Sequence, residues 1–142
     1  MMKRALKIVC TLGMVMIVLV SGGCSSSPSS STYPATTDAS AIRAYADPAT
    51  ETTLQGLSEN NLAKYTQYGN AEFKAALTQG VLDKTATQIS SQLGTYESKT
   101  FLRTEDQQGY IIVHYKAKYS KGEAGIRMVF DKDHLVAGQW FE

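Results

Sequence analysis

Between Tyr110 and Tyr119 apolar and polar positions alternate, with Ile111, Val113, Tyr115, Ala117 and Tyr119 on one side and Ile112, His114, Lys116 and Lys118 on the other. A period of two is the pattern of a strand with one face on a core. A second alternating run follows in Ala124, Ile126, Met128 and Phe130. A two-residue loop at Lys121 and Gly122 pairs Tyr119 with Ala124, Ala117 with Ile126, Tyr115 with Met128 and Val113 with Phe130. Each of these pairs is apolar, and a slip of one residue would turn the whole set outward. After Phe130 comes DKDH. With Asp131 opposite Leu135, a three-residue loop of Lys132, Asp133 and His134 returns the chain, and His134 takes the left-handed position that glycine usually fills. The returning strand then places Val136, Gly138 and Trp140 on the core face, Trp140 opposite Ile126 and beside Ala117. An earlier strand, TYESKTFLR, leads into the first hairpin through the turn TEDQQG.

Ahead of the strands the apolar spacing is helical. Asp47-Pro48 reads as an N-cap with proline at the first helical position, leading to Leu54 and Leu57. Ser58 opens a second helix carrying Leu62 and Tyr65, which stops at Gly69. Asn70 opens a third, with Phe73, Ala76 and Leu77 on one side. A longer helix runs to Gly94, and Val81, Leu82, Ile89 and Leu93 form its apolar stripe. Helices followed by an antiparallel sheet make an α+β domain, placed at residues 45–142 with no internal repeat.

The first 23 residues have another character. Lys3, Arg4 and Lys7 precede a largely apolar run from Ile8 to Val20, and then come Ser21, Gly22 and Gly23. This is the order of a signal peptide, and the run is shorter than the ~20 apolar residues of a spanning helix. The stretch VSGGC resembles the lipobox of prokaryotic lipoproteins, with Ser21 where leucine is usual. The resemblance implies lipidation of Cys24, and secretion with a free Cys24 is the alternative. Residues 24–44 are rich in Ser, Thr, Ala and Pro and read as a disordered tether. The expected location is therefore outside the cell membrane or in the periplasm, with membrane attachment through the N-terminal lipid.

Composition narrows the chemistry. Cys10 and Cys24 are the two cysteines, so the domain proper has no thiol for a disulfide, a metal or nucleophilic catalysis. Without Lys3, Arg4 and Lys7 the 14 basic residues become 11 against 13 acidic ones, a formal charge of −2, which gives no reason to expect nucleic acid as a partner. No cofactor is expected. The Asp131–His134 cluster reads as turn chemistry in place of a metal site. Two sets of residues remain as sites: Tyr115, Tyr119, Met128 and Trp140, which would line any pocket in the core, and His114, Lys116, Lys118 and Arg127, which would form a basic partner face.

The stretches YGNAEFKAALTQGVLD, ISSQLGTYES, VHYKAKYSKGEAGIRMVF and FDKDHLVAGQWF resemble an uncharacterised family, the domain-of-unknown-function 3887 family, whose members usually carry glycine at the position of His134. That family is similar to the nuclear transport factor 2-like superfamily. The resemblance implies a cone in which a curved sheet wraps against helices and sometimes encloses a pocket. Superfamily enzymes use a cavity carboxylate as base, and the expected core face from Ile111 to Trp140 carries no Asp, Glu or His. Glu72 or Asp83 could still enter from a helix. The function expected is a lipid-anchored, non-catalytic binding or interaction module for a small apolar ligand or an envelope protein. The alternative is a small-molecule enzyme of the same fold.

Overall fold

In the computed structural model residues 38–142 are described; the signal segment, Cys24 and most of the expected tether lie outside the described residues. Four helices come first, α1 (Ala39–Ser58), α2 (Leu62–Tyr65), α3 (Ala71–Ala76) and α4 (Gln79–Gln92). Each starts at a side chain that accepts a hydrogen bond from the first-turn backbone: Asp38 from Ser40, Asn61 from Lys64, Asn70 from Phe73 and Thr78 from Val81. Only the Asn70 start was the expected one.

Helix α1 begins at Ala39, so the end of the expected tether is helical and the ordered domain starts before residue 45. Ile42, Ala46, Ala49, Thr53, Leu54 and Leu57 make one buried stripe at alternating spacings of four and three, with a single step of one. That stripe continues straight through Pro48, which is exposed on the opposite side. Asp47-Pro48 is thus a mid-helix pair. Burial along the stripe outweighs the lost Pro48 N–H, a cost of ~3 kcal/mol. The α1 and α2 backbones touch at Gly56, where a Cβ would stand 2.4 Å from the Tyr65 nitrogen.

The strands are β1 (Tyr96–Gln107), β2 (Tyr110–Tyr119), β3 (Gly122–Phe130) and β4 (Val136–Phe141), in the order β1-β2-β3-β4. All neighbours are antiparallel, and the sheet is curved and unclosed, which makes the fold α+β as expected. β1 runs through the expected TEDQQG turn, and the reversal itself is Gln108-Gly109, both with positive φ. Between β2 and β3 the loop is Ser120-Lys121, so Tyr115 faces Ile126 and Val113 faces Met128. The expected register is wrong by two residues, which leaves every side chain on its expected face. The turn is held from outside: Ser120 N donates to Thr95 O at 2.9 Å and Lys121 N to Leu93 O at 2.9 Å.

At β4 the correction changes a face. Phe130 pairs with Val136, but Val129 pairs with Gly138, so Ala137 is an extra residue in the ladder. Beyond this bulge parity reverses, Phe141 takes the place opposite Ile126, and Trp140 pairs with Arg127 on the outer face, 46% exposed. Trp140 is therefore not a core residue. Val81 is also exposed; of the expected α4 stripe Leu82 is buried and Ile89 and Leu93 are partly buried against the core. The core lies between α1 and the inner sheet face, where Val113, Tyr115, Ala117, Ile126, Met128, Phe130 and Val136 are buried. Among the described residues no helix is long and apolar enough to cross a membrane.

Candidate functional site

Three of the four expected pocket residues, Tyr115, Tyr119 and Met128, are buried between the sheet and the helices. Tyr115 is tied down from several sides. Its hydroxyl donates to Asp47 Oδ1 at 2.8 Å, its ring meets Phe101 edge-on, and Lys99 Nζ lies 5.2 Å from the ring centroid. One turn further along α1, Glu51 accepts from the Tyr96 hydroxyl at 2.8 Å and pairs with Lys99 at 3.5 Å. Burial, then the carboxylate partner, drives both phenols well above their ordinary range. Tyr119 and Tyr65 are pushed up to about 12 by burial. These hydroxyls are held as neutral groups, and Asp47 and Glu51 clasp α1 to the sheet. Their spacing of four on α1 was a visible signal, obscured by reading Asp47 as a helix cap. Glu72 and Asp83 stay exposed; Asp83 accepts from Asn60 and Gln79, and those bonds hold its carboxyl low against a small opposing effect of burial.

The DKDH run is a turn. His134 has φ 62°, and its N–H donates to Asp131 O at 3.0 Å. Asp131 Oδ1 accepts from the backbone of Asp133 and Leu135, each at 3.0 Å, and Oδ2 from Asn70 Nδ2 at 3.1 Å. Burial raises the Asp131 carboxyl, but these bonds outweigh it and hold the group below its usual range. The His134 ring stacks on Tyr45 with centroids 4.1 Å apart. Together with Ile42, Ile111 and Lys132 the pair lines a cleft of about 280 Å³. His134→Gly should therefore stay within about 1 kcal/mol of the parent in thermal unfolding, because relief of the left-handed backbone offsets the lost stack. A loss of several kcal/mol would contradict this assignment. No group of three or more metal-ligating side chains occurs among the described residues.

The expected basic face is electrically balanced. Lys116 pairs with Glu123, Lys118 with Glu97 at 2.9 Å, Arg103 with Glu105, and Arg127 approaches Glu142 at 3.6 Å. His114 is buried, although it faces outward. It lies in a row crossing all four strands, with Arg103 and Arg127 as its cross-strand partners and Trp140 next to Arg127. Its Nε2 is 3.3 Å from Glu105 Oε1 and its Nδ1 is 3.6 Å from Glu142 Oε2. Burial and then Arg103 lower its pKa, Glu142 opposes, and Arg127 lowers it further. The Arg127 guanidinium sits 4.7 Å from the Trp140 ring centroid, and the indole lies over Gly138 so closely that a Cβ there would be 2.2 Å from it. Beside this row Tyr110, Ile112, Val129, Gln107, Arg127 and Trp140 border a groove of about 220 Å³. Tyr110 is 46% exposed, as is Trp140. The structure thus unites His114 and Arg127 of the expected face with Trp140 of the expected pocket. Tyr110 was missed, although its place at the start of β2, in phase with Ile112 and His114, marks it as outward.

Among known families, the one described as "Protein of unknown function (DUF3887)" matches residues 50–138. No curated protein matches the chain. Among solved structures, the NMR structure of a protein from Ruminococcus gnavus is similar, at 16% identity and a TM-score of 0.53, over 76% of this chain and 94% of that one. At that identity the likeness is one of fold.

Proposed function

The chain belongs to the DUF3887 family; we propose that it is a non-catalytic binding or interaction module at the cell envelope, kin in fold to the nuclear transport factor 2-like superfamily. The observation that carries this reading is the groove beside Trp140 on the outer sheet face. It combines two half-exposed aromatic rings, an arginine and the aliphatic side chains of Ile112 and Val129, the composition of side chains that dominate protein interfaces. The inner face supports the same reading, since large side chains occupy it and the α1 carboxylates Asp47 and Glu51 are engaged by its tyrosines. The partner favoured by this surface is an envelope protein. A photoreactive residue at Tyr110, used in intact cells, should give one discrete adduct that the same residue at Lys84 on α4 does not give. Adducts of equal yield at both positions would sink the reading.

Location at the envelope is the second half of the proposal. The charged start, the short apolar run and the small residues before Cys24 support export and lipidation there. One acyl chain binds only marginally, so stable attachment requires the several chains of a lipoprotein. Cys24→Ala should move the protein from the membrane to the soluble fraction and abolish uptake of labelled fatty acid. Unchanged fractionation and labelling would count against anchoring.

A further inference from the structure

His114 is a buried titratable group among the exposed ion pairs of the outer face, and its surroundings pull it in opposite directions. Both ring nitrogens face carboxylates, Glu105 across from Nε2 and Glu142 across from Nδ1. A neutral imidazole carries one N–H, so it can satisfy only one of them and turns a lone pair toward the other. The imidazolium suits both. Against it stand burial and two flanking guanidiniums, Arg103 from β1 and Arg127 from β3. Lys116, the next outward residue of β2, is engaged by Glu123. With His114 neutral, Arg103, Arg127, Glu105 and Glu142 cancel; with His114 charged, the row carries one excess positive charge.

Resting on the reading of the outer groove as the docking surface, we propose that the row Arg103, His114, Arg127, Trp140 is a proton-operated gate on that surface. In mild acid His114 takes a proton from solvent, draws Glu105 and Glu142 to its two ring nitrogens, and releases the Arg127 guanidinium beside Trp140 for an anionic group of the partner. The geometry favours Arg127 as the group released, because its contact with Glu142 is long at 3.6 Å and its buried Nε has no hydrogen-bond partner. Glu142 stands between the two, reaching His114 with Oε2 and Arg127 with Oε1, so attraction to one weakens its hold on the other. The sign of the stability change follows. The pKa of His114 is depressed in the fold, so its contribution to stability is complete above the ordinary histidine value and is lost as pH falls through the folded value. Opening the gate thus draws on the stability of the domain.

The sole tryptophan reports the event directly. Trp140 emission should follow a one-proton titration centred below the ordinary histidine value, matching the titration of the His114 ring protons by NMR. His114→Gln should remove the transition, and His134→Gln, which changes the other histidine, should leave it. An oligo-aspartate peptide should bind the parent several-fold more tightly at the acid end than at the alkaline end, and Arg127→Gln should abolish the difference. A His114 titration that leaves Trp140 unmoved, or equal peptide affinity at both ends, overturns the gate. None of these readouts depends on the natural partner, so the gate can fail while the Tyr110 adduct stands, and the reverse.

Discussion

Phe130→Ala should destabilise the domain by about 3–5 kcal/mol, whereas Trp140→Ala should cost only about 1 kcal/mol. Phe130 is fully buried and meets Tyr45 edge-on, so truncation leaves a cavity that the sheet and α1 cannot close without moving both. Trp140, nearly half exposed, contributes its cover of Gly138 and its contact with Arg127. A core placement of Trp140, as strict alternation through β4 would have it, requires similar losses for the two. Urea unfolding of both variants separates the cases. Equal, large losses would mean that the bulge at Ala137 is absent in solution. A loss of this size is a large part of the stability of a small domain, so Phe130→Ala is best measured beside Phe130→Leu, for which a loss below about 1.5 kcal/mol is expected.

The second large effect has the opposite sign. Pro48→Ala should stabilise the domain by about 2 kcal/mol and raise Tm by roughly 8–15 °C. Pro48 lies at an exposed position inside α1, where alanine restores the missing N–H and removes the ring from the preceding turn. The gain stays below the full ~3 kcal/mol because proline also restricts the unfolded chain. If α1 began at Pro48, alanine would bring no gain, and a Tm at or below that of the parent would indicate that start.

What could be read from the chain was set by where the determining forces act. The inward set of β2 and β3 is legible because period-two alternation is local, and an error of two in the loop leaves it intact. His134 is legible as a left-handed residue because loop length and the Asp131 acceptor are local too. Trp140 escaped because one extra residue at Ala137 inverts everything after it, and no residue type announces it. The α1 start was hidden by an Asp-Pro pair whose local meaning is overridden by the buried stripe from Ile42 to Leu57. The partner face was misjudged in charge because Glu97, Glu123 and Glu142 come from three separate segments, and only the paired strands bring them beside Lys118, Lys116 and Arg127.

The loop between α2 and α3 touches the sheet at a place that governs more than this chain. Val136 N donates to Tyr68 O at 2.8 Å, and Asn70 N donates to Val136 O at 2.9 Å, a short parallel bridge at the head of β4. An open sheet offers its outermost strands as templates to other chains. Here the chain itself occupies the first template position, and the rest of β4 is short. The opposite margin, β1, is broken by the bulge at Leu102 and carries charged Lys99, Arg103 and Glu105. Neither margin presents a long, flat, uncharged row of free backbone groups. The fold can thus keep a sheet unclosed, with a broad face open to visitors, and still resist fibrous self-association.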